Sequence, residues 1–115
     1  MAGDDLSVVV VDAPSNLGLS PPEEGREPGV RWLASALRER GVLNRLGAED
    51  GGGVVPPTYS PEIESGTRNG EAVRTFAVDH AERVGKVVGS GKRPLVLGGD
   101  CSILIGSMLA FRSHA

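Results

Sequence analysis

Pro94-Leu95-Val96-Leu97-Gly98-Gly99-Asp100-Cys101-Ser102 is the stretch whose reading decides the fold of this chain. A short apolar run stops at two glycines. An acid, the sole cysteine and a serine follow, and the serine opens a second apolar segment. The pattern predicts a strand, a tight turn and a helix over Ser102 to Phe111, with Cys101 at the helix N-terminus. Backbone N–H groups are unpaired there and the helix dipole is positive. An anion, a thiolate or a metal-bound ligand is therefore favoured at that place.

Upstream of this stretch, Val73, Phe76, Ala77, His80, Ala81, Val84 and Val88 fall on one face of a helix that Gly89 and Gly91 close. Asn69 is the expected N-cap, with Glu71 in the first turn. A lone histidine within such a stripe, His80, reads as a packed core residue rather than a ligand. Further back, Leu6-Ser7-Val8-Val9-Val10-Val11 is apolar on both faces, as a central strand of a parallel sheet is. It runs into Asp12-Ala13-Pro14-Ser15-Asn16-Leu17-Gly18, a loop at the strand's carboxyl end, where open α/β sheets carry their ligand crevice. Asp12 reads as a carboxylate capping loop N–H groups.

Between these elements, Pro28 suits a helix's first turn, and Val30, Leu33, Ala34 and Leu37 recur at helical spacing up to Gly41. Arg31, Arg38, Glu39 and Arg40 then form the solvated face, and Trp32 falls off the stripe to cover a neighbouring loop. Val42 to Leu46 reads as a short edge strand. Gly47 to Ser60, with Gly51-Gly52-Gly53 and Pro56-Pro57, reads as a long irregular connection whose triglycine is a flexible turn. Strand and helix thus alternate, which predicts a three-layer α/β/α domain on a parallel sheet with right-handed crossovers. Two or three strands are few for that architecture, so the domain reads as incomplete.

Composition narrows the function classes. At 115 residues the chain suffices for one small domain, and its 39% hydrophobic and 23% charged residues are those of a globular protein. Aromatic residues make up 3% and the net charge is −3, which argues against nucleic acid as a partner. One cysteine makes no internal disulfide, so a reducing, cytoplasmic location is expected. The acidic start Met1-Ala2-Gly3-Asp4-Asp5 precedes no long apolar run, and Val8 to Val11 is too short to span a membrane, so neither a signal peptide nor a membrane anchor is expected.

Two nucleotide motifs fail. Gly89-Ser90-Gly91-Lys92-Arg93 lacks a phosphate loop's earlier glycine and its Ser/Thr after lysine, and it precedes a strand instead of a helix. Gly98-Gly99-Asp100 lacks the third glycine of the dinucleotide pattern. A small α/β cysteine hydrolase using Cys101 is an alternative, since a thiol at a helix N-terminus is suited to attack carbonyls. It needs a base, and His80 and His114 are the two histidines. The bulky Ile103 is also unsuited to a strained nucleophile elbow.

Leu95 to Ser107 resembles the strand-turn-helix of the ureohydrolases (arginase, agmatinase, formimidoylglutamase), which runs strand, Gly-Gly-Asp-His-Ser, then an aliphatic helix containing a glycine. Val10-Val11-Asp12-Ala13-Pro14-Ser15 with Glu27-Pro28-Gly29-Val30-Arg31 resembles the family's first strand, its loop and the start of its first helix. Gly66-Thr67-Arg68-Asn69 resembles the segment leading toward its third strand. The resemblance covers nearly the whole chain and only the N-terminal part of a family domain, so residues 1–115 are expected to be the N-terminal portion of an arginase-like α/β domain.

The resemblance implies a hydrolase of linear amidines, holding two manganese ions and acting on a small guanidino or amidino substrate. A metal-bridging hydroxide is the nucleophile in such enzymes. Of the six metal-ligand side chains the family implies, one position falls in this chain: Cys101, where the family has its first histidine. The remaining ligands lie on later strands. Thiolate favours softer ions than manganese, and one soft donor does not hold a binuclear site. The expectation is a chain truncated before most metal ligands and inactive alone. The alternative to the hydrolase part is a non-catalytic remnant or pseudoenzyme that pairs with a partner chain. Because Leu95 to Leu97 would lack its family neighbour on one edge, a homo-oligomer is expected.

Overall fold

The computed structural model describes residues 7–61, 63–64 and 67–114. The expected strand start at Leu6, the acidic Met1 to Asp5 and Gly66 of the Gly66-Thr67-Arg68-Asn69 segment lie outside these residues.

Strand β1 (Val8–Asp12) sits at the centre of a three-stranded sheet of order β2-β1-β5, with β2 spanning Glu49–Gly53 and β5 Arg93–Leu97. Both neighbours run parallel to β1. Four consecutive valines suit this place because alternate side chains feed opposite faces, and here both faces are covered. Val9 and Val11 pack with Val84 and Val87 of helix α3 (Gly70–Gly89) and Ala110 of helix α4 (Ile103–Ser113). Val10 turns the other way, onto Ala34 of α1 (Leu33–Glu39) and Leu43 of α2 (Val42–Leu46). Val10 and Val11 are wholly buried, each contributing about 1.5–3 kcal/mol of transfer free energy. The result is the expected three-layer α/β/α arrangement.

Two elements differ from the sequence reading. Val42 to Leu46 is a helix, not an edge strand. Gly41 and Gly47 take left-handed conformations at φ 80° and 62° and bracket one short helical stretch, whose apolar side chains complete the core under Val10. The edge strand is instead Glu49–Gly53, inside the expected irregular connection. Its glycines are required by proximity. A Cβ on Gly51 would stand 2.6 Å from Val9 Cγ1, and one on Gly53 would stand 2.6 Å from the Asp12 carbonyl oxygen. Gly52 has φ 68°, and the β1–β2 register shifts between Val10 and Asp12. The triglycine is thus a strand pressed against its neighbour, not a flexible turn.

The predicted first helix begins as a 3-10 turn over Gly29–Trp32 before becoming α1. Trp32 covers no loop: it is 61% exposed, with the Arg31 guanidinium 4.6 Å above its ring. A small antiparallel pair, β3 (Ile63–Glu64) with β4 (Thr67–Arg68), precedes α3. Asn69 is the N-cap of α3 and Glu71 stands in its first turn, as expected, but Asn69 sits at φ 52° and its side chain makes no bond to the helix. Its amide instead donates to the Leu17 carbonyl (2.9 Å) and accepts from the Ser60 N–H (2.7 Å), tying two loops to the start of α3.

Helix α4 packs on α3 through small residues, Gly106, Ser107 and Ala110. A Cβ on Gly106 would come within 2.6 Å of the Ala77 carbonyl oxygen, so the helix backbones approach closely at that point. The outer face of α4 leaves Leu104, Ile105, Met108, Leu109 and Phe111 about half exposed. Among the described residues β5 pairs with β1 alone. The Arg93 N–H donates to Ser7 and the Leu97 carbonyl accepts from Ala13, so residues 93, 95 and 97 direct their backbone groups toward β1. Pro94 and Val96 direct theirs outward, and the N–H that proline lacks falls on the open edge. No described helix is long and apolar enough to cross a membrane.

Candidate functional site

The carboxyl ends of β1 and β5 deliver two loops to one place, as the parallel topology requires. The loop after β1 is Ala13 to Gly18, and the loop after β5 is Gly98 to Ser102. Backbone bonds join them: Ala13 N–H donates to Leu97 O (2.8 Å) and Asp100 N–H donates to Ser15 O (3.0 Å). Ser15 also accepts the Leu17 N–H on its hydroxyl (3.2 Å), which curls the first loop. Asn16 donates to Glu27 Oε1 and to the Pro28 carbonyl, fastening the loop to the start of the first helix.

The two glycines of the turn are there for space and conformation. Gly99 has φ 114°, and a side chain on it would strike the Ala13 carbonyl. A side chain on Gly98 would strike Ile103. The Gly98–Gly99 peptide is cis.

Asp100 is the keystone of the corner. It is buried, with 7% of its surface exposed, and it accepts from the Gly18 N–H on one carboxylate oxygen and from the Ser102 hydroxyl (2.6 Å) on the other. Ser102 Oγ lies 3.5 Å from Ser15 Oγ. A buried carboxylate is tolerated only when its oxygens are satisfied, and this one is satisfied from both loops. Nothing in the sequence reading gave Asp100 this role. The signal was the pairing of an acid with Ser102 two residues on and with a glycine loop at the other strand end.

Cys101, between Asp100 and Ser102, is exposed. It lies in the turn immediately before Ser102, the N-cap of α4, so the helix starts one residue later than expected and Cys101 stands just ahead of its N-terminus. No imidazole pairs with the thiol among the described residues. His80 Nε2 is 3.0 Å from Ser107 Oγ inside the α3–α4 interface, and His114 lies against Gly85 and Gly89. The base a cysteine hydrolase needs is therefore not assembled by these histidines.

Asp12, at the end of β1, does not cap a loop. Arg38 claims it, with Nε 2.9 Å from Asp12 Oδ2 and Nη2 2.9 Å from Asp50 Oδ1. Arg38 is accordingly not a solvated residue: it bridges α1 to β1 and β2. The Arg38 guanidinium, followed by the Gly52 N–H, holds the Asp50 carboxyl below its usual range, and Asp50 in turn raises Arg38.

These two strand ends, with the Gly-Gly-Asp turn between them, can be set beside known proteins. The chain is 32% identical over 115 residues to an arginase from Bacillus caldovelox, covering 93% of this chain and 36% of that protein. The native structure of that arginase superposes with a TM-score of 0.78 at 33% identity, over 95% of this chain and 37% of the other. The chain is related to the arginase-type ureohydrolases, in their N-terminal part. An arginase structure from Bacillus subtilis gives a TM-score of 0.77 at 30% identity, over 96% of this chain and 36% of that one. No family model matches the chain. This ureohydrolase relative thus spans little more than a third of the arginases it resembles. Its three-stranded sheet with the helices on both faces is the corresponding part of their α/β fold.

The donor set does not fit the manganese pair that the family implies. Among the described residues no group of three or more His, Cys, Asp and Glu side chains is placed to hold a metal ion. Asp100 is spent on Gly18 and Ser102, Asp12 on Arg38, and Cys101 stands alone as a soft donor.

Proposed function

We propose that residues 1–115 are the N-terminal portion of an arginase-like α/β domain and carry the corner from which such a domain offers its first metal ligand, with Cys101 in that position. The parent activity is hydrolysis of a small guanidino or amidino compound, and this chain does not perform it alone. The observation that carries the reading is the Asp100-centred corner at the carboxyl ends of β1 and β5, in a chain about one-third identical to arginases. A lone thiol is a poor donor for manganese, which prefers carboxylate and imidazole. The substrate class and the two-manganese chemistry come to this reading from the family, and a reducing, cytoplasmic location agrees with the single free cysteine.

The test is urea release from arginine and agmatine by the purified chain with added manganese, for the native sequence and for Cys101→His. Both are expected to stay at the level of the metal alone, because a histidine restores one donor without its partners. Manganese-dependent turnover by either protein, removed by a chelator, refutes the reading.

A pairing role is the second reading, favoured by the half-exposed aliphatic face of α4 beside the open edge of β5. In it the chain associates, with itself or with a partner chain, through that flank.

A further inference from the structure

His80 is the wholly buried ionisable side chain that the corner does not use. It sits on α3 where α4 approaches most closely. Its ring stacks on Phe76 at 5.5 Å between centroids and 8° between planes. Nε2 is 3.0 Å from Ser107 Oγ on α4, and a Cβ on the adjacent Gly106 would lie 3.1 Å from its Cδ2. Nδ1 is buried with no hydrogen-bond partner among the described residues. A bare lone pair is the cheaper orphan, since buried N–H groups are almost always paired. The neutral ring therefore carries its proton on Nε2 and donates to Ser107.

Protonation would place a second N–H, and a full charge, where no acceptor stands. No neighbouring element supplies compensation. On α4, Ile103 to Phe111 contains no charged side chain, and Arg112 and His114 lie at its far end, with His114 against Gly85 and Gly89. On α3 itself, Asp79, Glu82, Arg83 and Lys86 are exposed, with Glu82 and Lys86 beside Leu109, Ser113 and His114 at the far end of α4. The buried loop residues clustered with Phe76 are the apolar Ala13 and Leu17, and of Val54 and Tyr59 packed against that cluster the Tyr59 hydroxyl donates to the Leu19 carbonyl. Asp100, the acid of the β5–α4 turn, is held by Gly18 and Ser102.

We propose that His80 is a proton-operated latch between α3 and α4: the neutral ring lets α4 seat on α3, and the protonated ring makes α4 lift, loosening the Gly98–Ser102 corner at its N-terminus. Burial lowers the imidazole's pKa from 6.5 in the folded chain, so the seated state holds fewer protons than the lifted one. The stabilisation is complete above pH 6.5. It is lost as pH falls below that value, and the loss ends at the folded-state pKa.

The experiment is amide hydrogen exchange on the full chain between pH 7.5 and 5, read as protection factors so that the chemical exchange rate cancels. In the native sequence α4 protection is expected to fall between pH 6.5 and the folded-state pKa, by at most about tenfold per pH unit since one proton is taken up on lifting, while β1 holds its protection. In His80→Leu the α4 protection is expected to be flat. Equal slopes in the two proteins overturn the latch, and so does a loss shared equally by β1. Should His80→Leu not fold, the native chain still decides: the His80 Cε1 proton resonance must titrate below 6.5 together with the α4 amides. An imidazole that protonates while α4 stays fully protected refutes the proposal.

Discussion

Replacing Asp100 tests whether the corner is held by one carboxylate. In Asp100→Ala both bonds vanish: the Gly18 N–H and the Ser102 hydroxyl lose their acceptor, and a small void opens between the loops. Hydrogen bonds to a charged group contribute about 1.5–3 kcal/mol each. The exposed Gly18 can turn to water, so the low end applies and the two together cost about 3 kcal/mol. Asp100→Asn keeps an oxygen for the Gly18 N–H and offers its NH2 to Ser102 Oγ, which accepts as readily as it donates. Its loss is the charge assistance, about 1 kcal/mol. In a chain of this size 1 kcal/mol moves Tm by roughly 4 °C, so about 12 °C is expected for alanine and about 4 °C for asparagine. Thermal and urea unfolding followed by circular dichroism read both. An alanine variant within about 0.5 kcal/mol of the native chain, or an asparagine variant as unstable as alanine, refutes the keystone role.

Arg38→Met keeps the aliphatic stem while removing the bridge from α1 to Asp12 and Asp50, and it is expected to cost about 1–2 kcal/mol near pH 7. Asp50's carboxyl is held below 3.8 in the folded chain, so its share is present above that value and lost as pH falls through the folded pKa. Urea titrations of both proteins should converge as the solution is taken below pH 3.8 and stay apart above pH 5; a gap unchanged by acid contradicts the assignment. The half-exposed α4 face predicts self-association at tens of micromolar by sedimentation velocity, reversed by Met108→Lys; a native chain that sediments as a monomer counts against the pairing reading.

Elements that make their own case were legible in the sequence. β1, β5 and α3 carry strong apolar patterns, and the Gly-Gly-Asp turn announces where strand becomes helix. What stayed hidden was decided by distant neighbours. Glu49 to Gly53 has no strand propensity of its own. It pairs because glycines fit against Val9 and Asp12, a requirement visible only once β1 is in place. Val42 to Leu46 is short enough to suit either structure, and the left-handed glycines on each side settle it as a helix. Asp12 and Arg38 take roles their local sequence does not suggest, as does the side chain of the N-cap Asn69, for a common reason. Each looks like a local surface or capping residue, and each bonds across 26 or more positions of chain or ties two loops at once.

Pro94 has a consequence for how this sheet meets other strands. Since its absent N–H lies on the outward side of β5, an incoming strand finds a donor at Val96 and none one pleat earlier. Stacking of one sheet edge upon another needs an unbroken row of donors, and the gap interrupts that row. The proline thus works as a gatekeeper. It lets β5 pair fully with β1 while leaving a gap in the row of donors that extended strand-on-strand growth would need.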